Sequence, residues 1–150
     1  RQVVTRPDGA PTGRPEQGGA YAYAGRVTPD YSPEADRDPD PGEIVWAWVP
    51  YEEDPSIGKD RPLVVIGRGE QPAQCVALML SSRDHAGDRG WVSVGSGDWD
   101  REQRPSWVRV DRPLGIDDGM VRREGAVLPR DRFMELLIKA RQERNGIDVD

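Results

Sequence analysis

The chain has 150 residues, a formal net charge of −6, and only one cysteine and one histidine. That length accommodates one domain with a core of its own, or a smaller domain plus a tail. Lone Cys75 excludes an internal disulfide and a paired-thiolate metal site, a single His85 makes a zinc enzyme unexpected, and the acidic balance argues against gripping nucleic acid by general attraction to phosphate. A local basic cleft stays open, because Arg61, Arg68, Arg83, Arg89, Arg101 and Arg104 can still cluster in a fold.

Residues 1–40 contain six prolines, five glycines and few aliphatics, and carry −2 of the net charge, leaving −4 for the remainder. Such a stretch buries too little apolar surface to offset the entropy of ordering it, so it reads as a disordered or extended leader. The chain opens on Arg1 rather than Met, which points to a processed or excised piece, and nothing in it reads as a signal peptide or a membrane span. Were such a segment upstream, the leader would be its tether.

From residue 41 the pattern changes. Glu43–Val49 and Pro62–Ile66 are short apolar runs rich in Val, Ile and Trp, and both read as strands. Between them lies a polar, acidic loop of about a dozen residues, a length that in compact domains usually marks a functional or mobile segment. Pro62 biases Arg61 toward extended backbone, which predicts Arg61 at the point where the loop enters the second strand. Cys75–Leu80 is apolar on both faces, as a central strand requires, and gives way abruptly to polar Ser81–His85. Trp91–Val94 and Trp107–Val110 alternate in the manner of half-buried strands. Five short strands with polar loops predict a mainly β protein, a small, strongly bent antiparallel barrel. Residues 114–128 read as either a short strand or a helical turn around Met120 and Val121. Phe133, Leu136, Leu137 and Ala140 then fall on one face of a helix over 129–145, stopped by Gly146, which bounds a domain at 41–146 and leaves 147–150 as a tail.

The residues Gly42, Glu43, Ile44, Val45 and Trp46, followed after a long loop by Gly58, Arg61, Pro62, Leu63, Val64 and Val65, resemble the signature of the MazF/PemK toxins, ribonuclease members of bacterial toxin–antitoxin pairs. The likeness continues through the strand ending in Ser81, the strands at Trp91 and Trp107 and the final helix, over about two-thirds of the chain. It implies an SH3-like barrel of the PemK and CcdB type with a C-terminal helix. It also implies a cytoplasmic homodimer that cleaves single-stranded RNA, is silenced by a cognate antitoxin, and needs neither metal nor cofactor.

In that chemistry the ribose 2′-oxygen attacks the neighbouring phosphorus, which calls for a proton acceptor, a cation for the phosphoryl oxygens and a donor for the departing 5′-oxygen. By resemblance Arg61 is the cation, and its planar fork can hold two phosphoryl oxygens at once. Ser81 stands where related toxins usually carry threonine, keeping the hydroxyl donor without the stiffening methyl. His85, the one side chain whose ordinary pKa lies near neutrality, is the candidate acid or base. Glu52, Glu53 and Asp54 are the carboxylates that can accept the 2′-proton. Lys59, Tyr51, Glu53, Arg83 and Trp99 are the candidate substrate contacts, with Trp48 and Trp91 as further aromatic platforms for splayed bases. The loop departs from the family pattern, since Gly58 lies three residues ahead of Arg61 instead of two and Asp54-Pro55-Ser56 replaces the usual glutamate-glutamine pair.

A different class of function keeps the barrel and drops the catalysis. In that reading the domain is an SH3-like binding module that engages a protein partner or an RNA, or a membrane-tethered regulator using the leader as its stalk.

Overall fold

The computed structural model describes residues 10–28, 38–143 and 147–149. The core of the fold is the hairpin of β4 (Glu43–Pro50) and β5 (Ile57–Arg68), paired antiparallel from Ile44↔Val64 to Pro50↔Gly58. Next comes β6 (Gln74–Ser81), whose ladder with β5 begins at Leu63↔Met79, beside Pro62, which lacks the N–H a ladder uses. The far edge of β6 is divided. Its first half pairs with β9 (Leu114–Asp117), while Leu80 and Ser81 pair with β8 (Ser106–Arg109), which in turn pairs with β7 (Trp91–Gly95). On the other side β10 (Arg122–Val127) closes onto β4. The architecture is mainly β and antiparallel with one C-terminal helix, as expected, although the sheet is not closed into a ring.

The predicted long loop is shorter than its composition implies. β5 begins at Ile57, so only 51–56 connect the two strands, and Arg61 lies inside a strand and not at its mouth. Polar Lys59, Asp60 and Arg61 extend the strand because the apolar residues Val49, Trp48 and Ala47 of β4 sit opposite them and supply the pairing. Two local devices tighten the turn. Asp54 accepts from the Ser56 N–H at 3.2 Å and from the Ser56 hydroxyl at 2.7 Å, and Gly58 passes so close to the Val49 carbonyl that any Cβ there would collide with it. The ambiguous stretch 114–128 resolves into β9, a 3-10 turn at Asp118–Met120, and β10, which bulges between Arg123 and Ala126 with Gly125 at φ +85.

Both faces of the sheet are buried. On one, Ile44, Val64, Ile66, Leu78 and Leu80 meet the apolar stripe of α1 (Arg130–Glu143), where Phe133, Leu136, Leu137 and Ala140 are all buried as the periodicity predicts. On the other, Val45, Ala47, Val49, Leu63, Val65, Ala77 and Met79 pack with Leu114 and Ile116 of β9. Each such leucine or isoleucine contributes about 2 kcal/mol relative to an exposed side chain.

The leader expected over 1–40 is described over 10–28 and 38–40, and there it is extended backbone docked on the sheet. β1 (Thr12–Gly13) pairs with the start of β5, β2 (Tyr21–Ala22) with β9, and β3 (Gly25–Val27) with β11 (Ile147–Val149) of the expected tail. Ala20 and Val27 are fully buried, so this segment contributes to the packed body, which composition alone conceals. The remaining leader residues, and Gly146 as helix stop, lie outside the described residues. Among the described residues no helix is long and apolar enough to cross a membrane.

Candidate active site

Side chains alternate along a strand, so the face that carries Leu63 and Met79 also carries Arg61 and Ser81. Carrying the β5–β6 register two residues beyond Leu63↔Met79 aligns Arg61 with Ser81 across the gap where the ladder has lapsed. Ser81 in turn pairs with Trp107 of β8, and Trp91 with Arg109, which extends the same face toward β7.

The Arg61 guanidinium is half-buried and has no hydrogen bond or ion pair to a described residue. Burial pushes its pKa below the ordinary arginine value, with Arg112 and Arg83 adding in the same direction and Tyr51 and Glu53 opposing. It remains a cation at any ordinary pH. Arg112 is also held low, first by burial and then by Arg109, against the pull of Glu52, Glu53 and Asp111. One guanidinium nitrogen of Arg112 donates to the Pro50 carbonyl at 3.0 Å.

Several other arginines are matched with acids, while Arg14 and Arg132 donate to backbone carbonyls. Arg68 holds Asp118 at 2.6 Å, Arg104 holds Asp100 at 2.7 Å, Arg122 holds Asp60, and Arg123 holds buried Glu43 at 2.7 Å. Burial pulls Arg109 down, yet its bonds to Asp111 at 2.7 Å and Glu52 at 2.8 Å keep its pKa raised. Of the six arginines that the sequence offers as a cluster, exposed Arg83 acts on Arg61, Arg68 and Arg104 are committed to ion pairs elsewhere, Arg89 and Arg101 are exposed, and Arg112 supplies the further member.

The loop carboxylates separate in the same way. Glu52 is tied to Arg109 and Asp54 to Ser56, while Glu53 acts on both Arg61 and Arg112 without an ion pair to a described residue. Ser81 accepts from the Arg83 N–H at 3.1 Å, which leaves its own hydroxyl hydrogen to donate. His85 is held twice. Its ring stacks on Trp91 with centroids 3.6 Å apart and planes 2° from parallel, and Nδ1 lies 3.0 Å from Asp88. Lys59, opposite Val49, sits on the Arg61 face of β5.

Three aromatic expectations are corrected. Trp99 is only 7% exposed, packs in the helix-side core and donates to Ser106 Oγ at 2.9 Å, so its ring is a core element and not an open platform. Trp48 is buried beneath Arg14 of the leader, 4.7 Å above its ring. Trp91 is covered by His85. Of the aromatic residues named from the sequence, Tyr51, half-buried beside Arg61, remains at the cluster, and half-buried Trp107, opposite Ser81, shares that face. Arg112 is not singled out by the sequence because its one mark, an arginine before proline, is shared by Arg6-Pro7, Arg14-Pro15, Arg61-Pro62 and Arg104-Pro105.

A clustered set of cations with a hydroxyl donor and an available carboxylate is suited to binding a phosphoryl group and moving a proton near it. Residues 40–142 match the family described as PemK-like, MazF-like toxin of type II toxin-antitoxin system. No curated protein matches the chain.

Proposed function

The chain belongs to the PemK-like, MazF-like toxin family of type II toxin–antitoxin systems, and on that footing we propose that it is an endoribonuclease that cleaves single-stranded RNA without a metal. The observation that carries this reading is Arg61: a half-buried cation with no acidic ion-pair partner among the described residues, crowded by Arg83 and Arg112 and in register with Ser81. Holding the half-buried Arg61 and Arg112 together, with exposed Arg83 beside them, is unfavourable in an empty site and favourable around a phosphodiester.

In the proposed reaction Glu53 takes the proton from the 2′-hydroxyl as its oxygen attacks phosphorus. The Arg61 fork and the Ser81 hydroxyl hold the phosphoryl oxygens as charge grows on them. The bond to the 5′-oxygen breaks, and His85, oriented through Nδ1 by Asp88, returns a proton to it. The products are a 2′,3′-cyclic phosphate and a free 5′-hydroxyl. Lys59, Arg83 and Tyr51 line the strand's path. The protein works in the cytoplasm as a homodimer and is neutralised by its cognate antitoxin.

Purified protein incubated with a long single-stranded RNA in EDTA tests this. Fragments ending in cyclic phosphate are the expected result. Intact RNA after long incubation with folded protein contradicts it and leaves the non-catalytic binding module.

A further inference from the structure

Arg112 is not among the residues that carry the resemblance read from the sequence, yet its guanidinium is fixed beside the cluster. Its backbone lies between β8 and β9, next to Pro113, and one of its nitrogens is fixed by the carbonyl of Pro50, the residue before Tyr51. The two acids best placed to neutralise it, Glu52 and Asp111, are both taken by Arg109. Five N–H donors on a guanidinium less the one given to Pro50 leaves four directed elsewhere. Arg61 is anchored separately, on β5 opposite Ala47. Two half-buried forks, one held on strand β5 and the other in the turn between β8 and β9, neither with a carboxylate in ion-pairing distance among the described residues, form a pair of anion sites rather than one.

We propose that Arg112 is a second phosphate subsite, which grips the phosphate next to the scissile one so that a single RNA strand is held at two successive phosphates. This rests on the nuclease reading of the same cluster. It assigns Arg112 to binding and register, and Arg61 to the reacting phosphate.

The test measures binding and cleavage separately. A fluorescein-labelled 2′-O-methyl RNA, whose blocked 2′-oxygen prevents cleavage, is titrated by anisotropy at several salt concentrations against wild type, Arg112→Gln and Arg112→Lys. Ordinary RNA is cleaved in parallel, and thermal melting confirms that each variant is folded. One lost phosphate contact flattens the plot of log K against log salt by about 0.7 for a single strand. Arg112→Gln is expected to show that flattening with weaker binding, and Arg112→Lys to restore the slope because the charge returns. A mononucleotide 3′-phosphate, which presents one phosphate, is expected to bind wild type and Arg112→Gln alike.

An unchanged slope in Arg112→Gln overturns the inference, as does equal loss of the one-phosphate ligand, which would make Arg112 part of the Arg61 site. No binding of the 2′-O-methyl strand by wild type also overturns it, while cleavage of ordinary RNA in that case leaves the nuclease reading standing. Binding with the expected slope change but no cleavage supports the subsite and removes the nuclease reading.

Discussion

Glu43 and Arg123 face each other across β4 and β10 in a two-pronged ion pair, with Nε to Oε2 at 2.7 Å and the second nitrogen to Oε1 at 2.9 Å. Glu43 also accepts from the Asp40 N–H at 3.1 Å. The acidic residue of the motif therefore has a structural task, holding the bulged edge strand to the sheet. Arg123→Ala leaves a buried carboxylate short of its partner and is expected to lower stability by about 2 kcal/mol, with RNA cleavage per folded molecule unchanged. Urea unfolding monitored by tryptophan fluorescence, together with a cleavage assay, checks both halves.

Trp99 distinguishes a core ring from a base platform. Trp99→Phe keeps most of the apolar volume and loses the bond to Ser106, so it is expected to cost about 1 kcal/mol of stability and to leave RNA affinity as in wild type. A drop in affinity without a drop in stability would contradict the assignment.

Cys75 is fully buried in the sheet face opposite α1, and burial pushes its thiol up to about 12, with Asp118 adding to the shift. Reaction needs the thiolate, so at pH 8 the native protein is expected to resist iodoacetamide and to be labelled only when unfolded. Mass spectrometry after labelling with and without urea reads this directly.

The Glu52–Arg109 contact ties the 51–56 loop to β8, and the loop carries Glu53. Glu52→Gln removes the charge and loosens the tether without touching the reacting groups. It is expected to lower kcat about two- to threefold by misplacing Glu53, with melting temperature little changed, because an exposed ion pair contributes only about 0.5 kcal/mol. A kcat equal to wild type would sever the loop from the chemistry.

Apolar elements of strand or helix period were legible. The β4, β6, β7 and β8 runs and the stripe of Phe133, Leu136, Leu137 and Ala140 follow from periodicity because burial itself enforces it. What composition conceals is pairing imposed by a neighbour. Lys59, Asp60 and Arg61 look like loop and lie in a strand because β4 is long enough to reach them. Residues 12–27 look like leader and dock because open sheet edges accept backbone regardless of side chain. In the candidate site, Arg61, Ser81 and Glu53 could be nominated by motif and residue chemistry. Arg112 could not, since only the fold shows that Arg109 absorbs the acids around it.

The most direct measurement is the single-turnover cleavage rate of Arg61→Ala in EDTA, on protein shown by melting to be folded. Loss of a preorganised cation at the reacting phosphate predicts a fall of about a hundredfold, close to 3 kcal/mol of barrier, with the cut site unchanged. Arg61→Lys is expected to recover only part of it, since one ammonium cannot span two phosphoryl oxygens. A folded Arg61→Ala protein that cleaves at the wild-type rate would contradict the account at its centre.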